Sequence, residues 1–230
     1  MDRDAAKRAA GHEAAALVRD GMRLGLGTGS TTAYALSAIG RRVAEDGLTV
    51  EGVPTSFAAK RLARRHGIPL TTLDDDPHLD LAIDGADEVD EDGQLIKGRG
   101  GAHAREKVVA AQADRFAVVV DPTKEVDRLG SEYPVPVEIL PMAVTPVTDA
   151  LRARGADPEL RTAEAKDGPV VTDQGLWIVD AHFPDGIGDP EALNDRLNAR
   201  PGVLDHGLFL GVATDVIRGH PDGTTTHRSA

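Results

Sequence analysis

Four residues in the middle of the chain have the types and spacing to move protons. Asp84 and Asp87 stand in the acidic run DGADEVD, Lys97 opens the glycine-rich run KGRGGAHAREKVVA, and Glu106 follows within that run. Upstream, GLGTGSTT at 25–32 alternates glycine with Thr28 and then sets Ser30 and Thr31 side by side. A glycine loop that leaves a strand and opens a helix offers backbone N–H groups and a positive dipole end to an anion. Its glycines permit close approach and positive φ, and the hydroxyls of Thr28, Ser30 and Thr31 add donors. Together these groups suggest proton transfer at a carbon beside a carbonyl in a phosphorylated substrate. A carboxylate takes the proton, a lysine or a backbone N–H stabilises the enediolate oxyanion, and a second carboxylate moves protons between oxygens. The glycine loop holds the phosphate, which converts binding into positioning. That chemistry calls for no organic cofactor. No metal is expected either, because no histidine stands at ligand spacing near the acid pair.

Each group has a plainer reading taken alone. The acid run can be a capped turn, Lys97 a solvated loop lysine, Glu106 a favourable charge at a helix N-terminus, and the first loop a tight turn that binds nothing. Co-location weighs against all of these at once. The first half alternates short apolar runs (MRLGLG, LTVEGV, LDLAID, RFAVVVD) with helical spacing (TTAYALSAIGRRVAEDG, SFAAKRLARRHG, AREKVVAAQAD). Such alternation argues for βαβ units and a parallel sheet. Right-handed crossovers then collect the strand C-termini on one edge, where ligands of open α/β sheets bind. Both glycine loops, both aspartates, Lys97, Glu106 and Lys124 (after FAVVVDP) fall there.

After Gly130 the order becomes strand, helix, two strands, helix, strand, with Asp189 as N-cap and Pro190 at the first position of the last helix. This resembles a split βαβ arrangement. The expected organisation is a parallel-sheet α/β domain over 1–130, completed by 208–230, and a small separate α+β domain over 131–207. The tail GHPDGTTTHRSA is polar and expected to fray.

Charge narrows the partners. The net charge is −12 and aromatics are 3%, so nucleic-acid binding is not expected, and an anionic substrate must be drawn in by local cations. The lysines are only six in the fixed positive charge: Lys7, Lys60, Lys97, Lys107, Lys124 and Lys166. No apolar run suits a membrane span, and the N-terminus reads as an amphipathic helix rather than a signal peptide. The absence of cysteine excludes disulfides and fits a reducing cytoplasm. The first loop lacks the lysine of a Walker loop, and Ser30 stands where a dinucleotide fingerprint has its third glycine. On that motif alone a nicotinamide enzyme remains open, with Glu51 near the end of the next strand as its ribose-binding acid.

The stretches GLGTGSTT, DGADEVD, KGRGGAHAREKVVA, VDPTKEVDRLG, PVPVEILPMA, VVTDQG and GVLDHGLF together resemble type A ribose-5-phosphate isomerase, the aldose–ketose isomerase of the pentose phosphate pathway. The resemblance implies that Glu106 is the general base and that Asp84 and Asp87 serve ring opening and the sugar hydroxyls. It implies that Lys97 stabilises the enediolate, with Gly98, Arg99 and Gly100 beside it in the substrate-binding loop. Thr28, Gly29, Ser30 and Thr31 would contact the phosphate, and Lys7 and Lys124 match basic positions that reach the substrate region. The resemblance also implies a Rossmann-like domain with a small α+β lid domain, no cofactor, and a homodimer or larger homo-oligomer. Arg99 and His103 depart from the family's usual glycine and aliphatic residue. Arg99 is expected at ordinary φ, its guanidinium turned to solvent or to a carboxylate. The alternative function is a non-catalytic sugar-phosphate sensor on the same fold.

Overall fold

The computed structural model describes residues 2–230. In chain order the elements are α1 (Arg3–Ala16), β1 (Arg23–Leu26), α2 (Ser30–Glu45), β2 (Glu51–Pro54), α3 (Phe57–Arg65), β3 (Leu79–Gly85), β4 (Glu88–Val89), β5 (Leu95–Ile96), α4 (His103–Ala111) and β6 (Ala113–Val120). The second half continues with β7 (Val135–Ile139), α5 (Val144–Arg152), β8 (Asp157–Leu160), β9 (Trp177–His182), α6 (Pro190–Asn198), β10 (Val203–His206), β11 (Leu208–Phe209), β12 (Asp215–Gly219) and β13 (Thr225–Ser229). No helix among the described residues is long and apolar enough to cross a membrane.

The chain divides into two units: 1–86 with 105–125 and 211–230, and 87–104 with 126–210. The first unit is built on a six-stranded sheet in the order β13-β12-β6-β3-β1-β2. Strands β1, β2, β3, β6 and β12 run parallel, so their order is the doubly wound 2-1-3-4-5, which reverses between β1 and β3. Residues 81–83 of β3 and 116–120 of β6, buried on both faces, read as continuous apolar runs, as parallel strands do. Leu24, Leu26, Leu36, Ile39, Leu81, Ile83, Val119 and Ile217 form the centre of this core. Helix α1 buries only small residues, Ala6, Ala10, Gly11, Ala14 and Ala15, and Asp2 caps it by accepting from the N–H groups of Asp4 and Ala5.

The tail does not fray as expected. Thr225–Ser229 pairs antiparallel with β12 along its whole length. Its polarity is that of a sheet edge facing water. His227 Nε2 meets Asp215 Oδ1 at 2.7 Å, and Arg115 grips the same carboxylate at 2.7 and 3.2 Å. Such long-range partners are invisible to a reading of local polarity.

The second unit carries an antiparallel sheet in the order β10-β7-β9-β8, with α5 and α6 supplying Val147, Leu151, Leu193 and Leu197 to its core. Its chain order is strand, helix, strand, strand, helix, strand, the split βαβ arrangement. Asp189 caps α6 through the Ala192 N–H, with Pro190 at the first turn.

Residues 87–104, 126–130 and 208–210, expected with the first domain, cluster with the second unit. The reason is a three-stranded sheet, β11-β5-β4, that places Ile96 and Leu208 in the second core beside Leu129. Glu88, fully buried, accepts backbone N–H bonds from Gly130, Glu132 and Tyr133 at 2.5–2.7 Å. Burial still pushes its carboxyl above the usual range, over the opposing pull of those three donors.

Candidate active site

In the first unit, chain geometry brings the hydroxyl loop to the point where the strand order reverses. β1 ends at Leu26, and Gly29, at φ 124°, caps α2. A side chain would strain that backbone, so glycine lets the helix begin at once with Ser30 and Thr31. The loop is tied to the neighbouring strand. Asp84, 3% exposed at the end of β3, accepts from the Thr28 N–H at 3.0 Å and the Gly85 N–H at 2.8 Å. Thr28 Oγ1 lies 3.0 Å from Thr55 Oγ1 and 2.7 Å from Ser56 Oγ. Sequence reasoning missed these last two. The signal was present: a Thr-Ser pair just past a strand, with Ser56 capping α3 through the Ala59 N–H.

Two lysines belong to the same unit. Lys7 Nζ donates to Ser30 Oγ at 2.9 Å, so the first helix delivers a cation onto the loop. Lys124 closes a 3-10 turn, Pro122–Lys124, just beyond β6. Asp121 caps that turn. Burial alone would raise its carboxyl, but the Thr123 hydroxyl and N–H and the Arg3 guanidinium outweigh it and hold it below the usual range.

Glu106 lies in the first turn of α4 and is 6% exposed. It stands three residues before Val109, on the same helix face. Val109 packs so closely on β1 that a side chain at Gly25 would meet its Cγ1 at 2.6 Å and the Ala82 Cβ at 2.7 Å. Small residues in β1 and β3 thus let α4 lie down on the sheet and bury the Glu106 carboxyl. Glu51 gives the nicotinamide alternative no support: it begins β2 rather than ending it, and Arg23 Nε donates to it at 2.6 Å.

In the second unit, Lys97, Gly98, Arg99 and Gly100 follow β5 without a break. Lys97 is 3% exposed, its ammonium 5.4 Å from the Phe209 ring centre. It is not the solvated lysine that its loop position alone suggests. Its backbone N–H donates to Gly207 O at 2.9 Å. Asp87 Oδ2 accepts from the Arg99 N–H at 2.9 Å. Gly98 takes φ 103° and Gly101 φ 70°, and among the described residues no non-glycine residue has positive φ, so Arg99 sits at ordinary φ as expected. The residue is exposed to solvent, as expected, and its guanidinium also lies over the Tyr133 ring at 5.6 Å. Gly100 is exposed at the loop tip. His103 is fully buried, its Nε2 3.9 Å from Glu138 Oε2.

A doubly wound sheet with hydroxyls and helix N–H groups at its switch point defines an α/β protein suited to holding a small anion at the carboxyl edge. The model of the family ribose 5-phosphate isomerase A (phosphoriboisomerase A) matches residues 51–223. Ribose-5-phosphate isomerase A of Haloarcula marismortui is 59% identical over 96% of this chain and 95% of its own, and that of Thermosynechococcus vestitus is 54% identical over 93% and 90%. Among solved structures, a D-ribose-5-phosphate isomerase in complex with phospho-erythronic acid superposes with a TM-score of 0.94 at 43% identity, covering 97% of both chains. The Plasmodium falciparum ribose 5-phosphate isomerase gives 0.94 at 34%, covering 99% of both. The chain belongs to the ribose 5-phosphate isomerase A family.

Proposed function

We propose that the protein interconverts ribose 5-phosphate and ribulose 5-phosphate through an enediolate, with Glu106 as the base. The carboxylate of Glu106 removes the proton from C2 of the open-chain aldose, and the C1 carbonyl oxygen gains the negative charge. The Lys97 ammonium and the N–H groups of Gly98 and Gly100 stabilise that oxyanion, the Arg99 N–H being held by Asp87. The hydroxyl proton passes from O2 to O1, and Glu106 returns its proton to C1, leaving the ketose. Asp84 and Asp87 serve ring opening and the sugar hydroxyls. The N–H groups and hydroxyls of Thr28, Gly29, Ser30 and Thr31 take the phosphate, with Lys7 and Lys124 adding cations. Asp84 holds the Thr28 peptide, so the sugar-binding carboxylate and the phosphate loop share one support.

The observation that carries this reading is the buried Glu106 carboxyl, supported by family membership over nearly the whole chain. The phospho-erythronic acid held by a relative is a phosphorylated sugar acid whose planar carboxylate resembles an enediolate. The same compound is expected to compete with ribose 5-phosphate here. Action in the cytoplasm and assembly as a homodimer or larger homo-oligomer belong to the same proposal. The test is incubation with ribose 5-phosphate and no added cofactor. Ribulose 5-phosphate should appear at an enzymatic rate, and its absence would overturn the assignment.

A further inference from the structure

The peptide that follows Lys97 is gripped by a residue outside the family-derived set. Arg161, directly after β8, donates through one nitrogen, Nη1, to Gly98 O at 3.1 Å and to Arg99 O at 3.0 Å. Its other two nitrogens, Nε and Nη2, hold the Asp180 carboxylate of β9 at 2.7 and 2.5 Å. The Arg161 and Asp180 side chains are each 15% exposed. The Arg161 backbone is also fixed, its N–H donating to Ile178 O at 2.8 Å. From the opposite side of the same peptide, Asp87 accepts the Arg99 N–H, and Gly207 O anchors the Lys97 N–H. A guanidinium is the one side chain whose donors form a rigid planar fork able to serve a carboxylate and two carbonyls at once. Lysine could satisfy part of this set but could not fix its plane.

We propose that Arg161 is a positioning residue for the isomerisation, acting through Lys97. By pinning consecutive carbonyls of the loop to the middle of the second unit's sheet, it sets the direction in which the loop leaves Lys97. It thereby sets where the buried ammonium points and where the loop N–H groups face. Asp180 orients the guanidinium and acts one step further out. This inference rests on the proposed role of Lys97 as the oxyanion partner. A group that stabilises charge only in the transition state shows its misplacement in kcat rather than KM.

The experiment is steady-state kinetics of the full chain with ribose 5-phosphate for Arg161→Lys, Lys97→Met and the double variant, with thermal unfolding of each. Arg161→Lys is expected to lower kcat about 10-fold or more while KM stays within about 3-fold, and its cost is expected to shrink strongly in the Lys97→Met background, as residues acting as a unit do. An impaired Lys97→Met with a silent or fully additive Arg161→Lys overturns the positioning role alone. A Lys97→Met variant of normal turnover overturns the reading of Lys97 and the route through it. Should Arg161→Lys fail to fold, Asp180→Asn keeps the guanidinium and its carbonyl bonds. That variant must show a milder loss in kcat with KM unchanged, and a loss confined to KM contradicts the proposal.

Discussion

The loop that follows β1 and the loop that precedes α4 are both rich in glycine and both run into a helix, yet they are held in different ways. The first is held at its base, from the strands on either side of β1, by the Asp84 carboxylate on the Thr28 N–H and by hydroxyl contacts to Thr55 and Ser56, with Lys7 reaching Ser30. Its outer part, Gly29 and Ser30, is exposed, and a Cβ at Gly29 would meet nothing within 4 Å. The second is clamped on both faces, by Asp87 and by Arg161. A Cβ at Gly98 would meet His103 Nδ1 at 2.6 Å and Pro136 Cγ at 2.7 Å. An open rim of N–H groups suits a ligand that arrives and leaves with its own charge. A locked frame suits a charged side chain that must be in place before the charge it meets develops. The contrast separates binding from catalysis: damage to the first loop should weaken affinity, and damage around the second should slow turnover.

The largest expected effect belongs to neither loop but to the proposed base. Glu106→Gln keeps the shape of α4 and removes the proton acceptor, so kcat should fall by about 10²–10⁴-fold while phospho-erythronic acid still binds. Near-normal turnover would remove Glu106 from the mechanism.

Gly98→Ala comes next. It combines a positive φ with a packed wall, and strain and overpacking each cost about 1–3 kcal/mol. Thermal unfolding should shift down, and kcat should fall at least about 10-fold, a 1.4 kcal/mol loss in the transition state. A normal kcat would mean that the clamp does not govern Lys97.

Asp215 is a charge cluster apart from both loops and serves as the reference. Burial alone would raise its carboxyl, but Arg115, Thr214 and His227 together bring it down to about 2 from 3.8. A depressed carboxylate stabilises the fold above its unfolded pKa, and that stabilisation is lost as pH falls through the folded value. Asp215→Asn should therefore cost about 2 kcal/mol at neutral pH, by urea unfolding, with the difference from wild type closing between pH 4 and pH 2. KM should not move. A change in KM would mean that the edge of the sheet is coupled to the phosphate loop.

The smallest effect is expected at Gly29→Ala. Space is open there and only backbone strain is added, about 1–3 kcal/mol for a side chain at φ 124° and ψ 171°. KM for ribose 5-phosphate should rise about 5–10-fold with kcat nearly unchanged. A fall in kcat at constant KM would erase the distinction between the loops.

The parts of this arrangement that could be read from sequence are those set by neighbours along the chain. The strand–glycine–helix turn at 25–32 and the α6 cap at Asp189 depend on residues a few positions apart. So does the alternation of apolar runs with helical spacing. What could not be read depends on partners far away in sequence. β4 and β5 are two residues each and exist because Leu208 and Phe209 come to pair with β5. That pairing moves 87–104 into the second unit. The tail becomes a strand because β12 offers an edge. Lys97 looks like a loop lysine until Phe209 and Gly207 close over it, and Arg161 lies in a stretch read only as a strand.

The central claim is that the reaction passes through an enediolate made by Glu106. The most direct test is conversion of ribose 5-phosphate in D₂O, with mass and NMR analysis of the ribulose 5-phosphate formed. The account predicts deuterium at C1 of the product with wild-type enzyme, because the proton held on Glu106 exchanges with solvent before it returns. It predicts that Glu106→Gln loses exchange and turnover together. Rapid turnover with no deuterium in the product, or full exchange in Glu106→Gln, would contradict it.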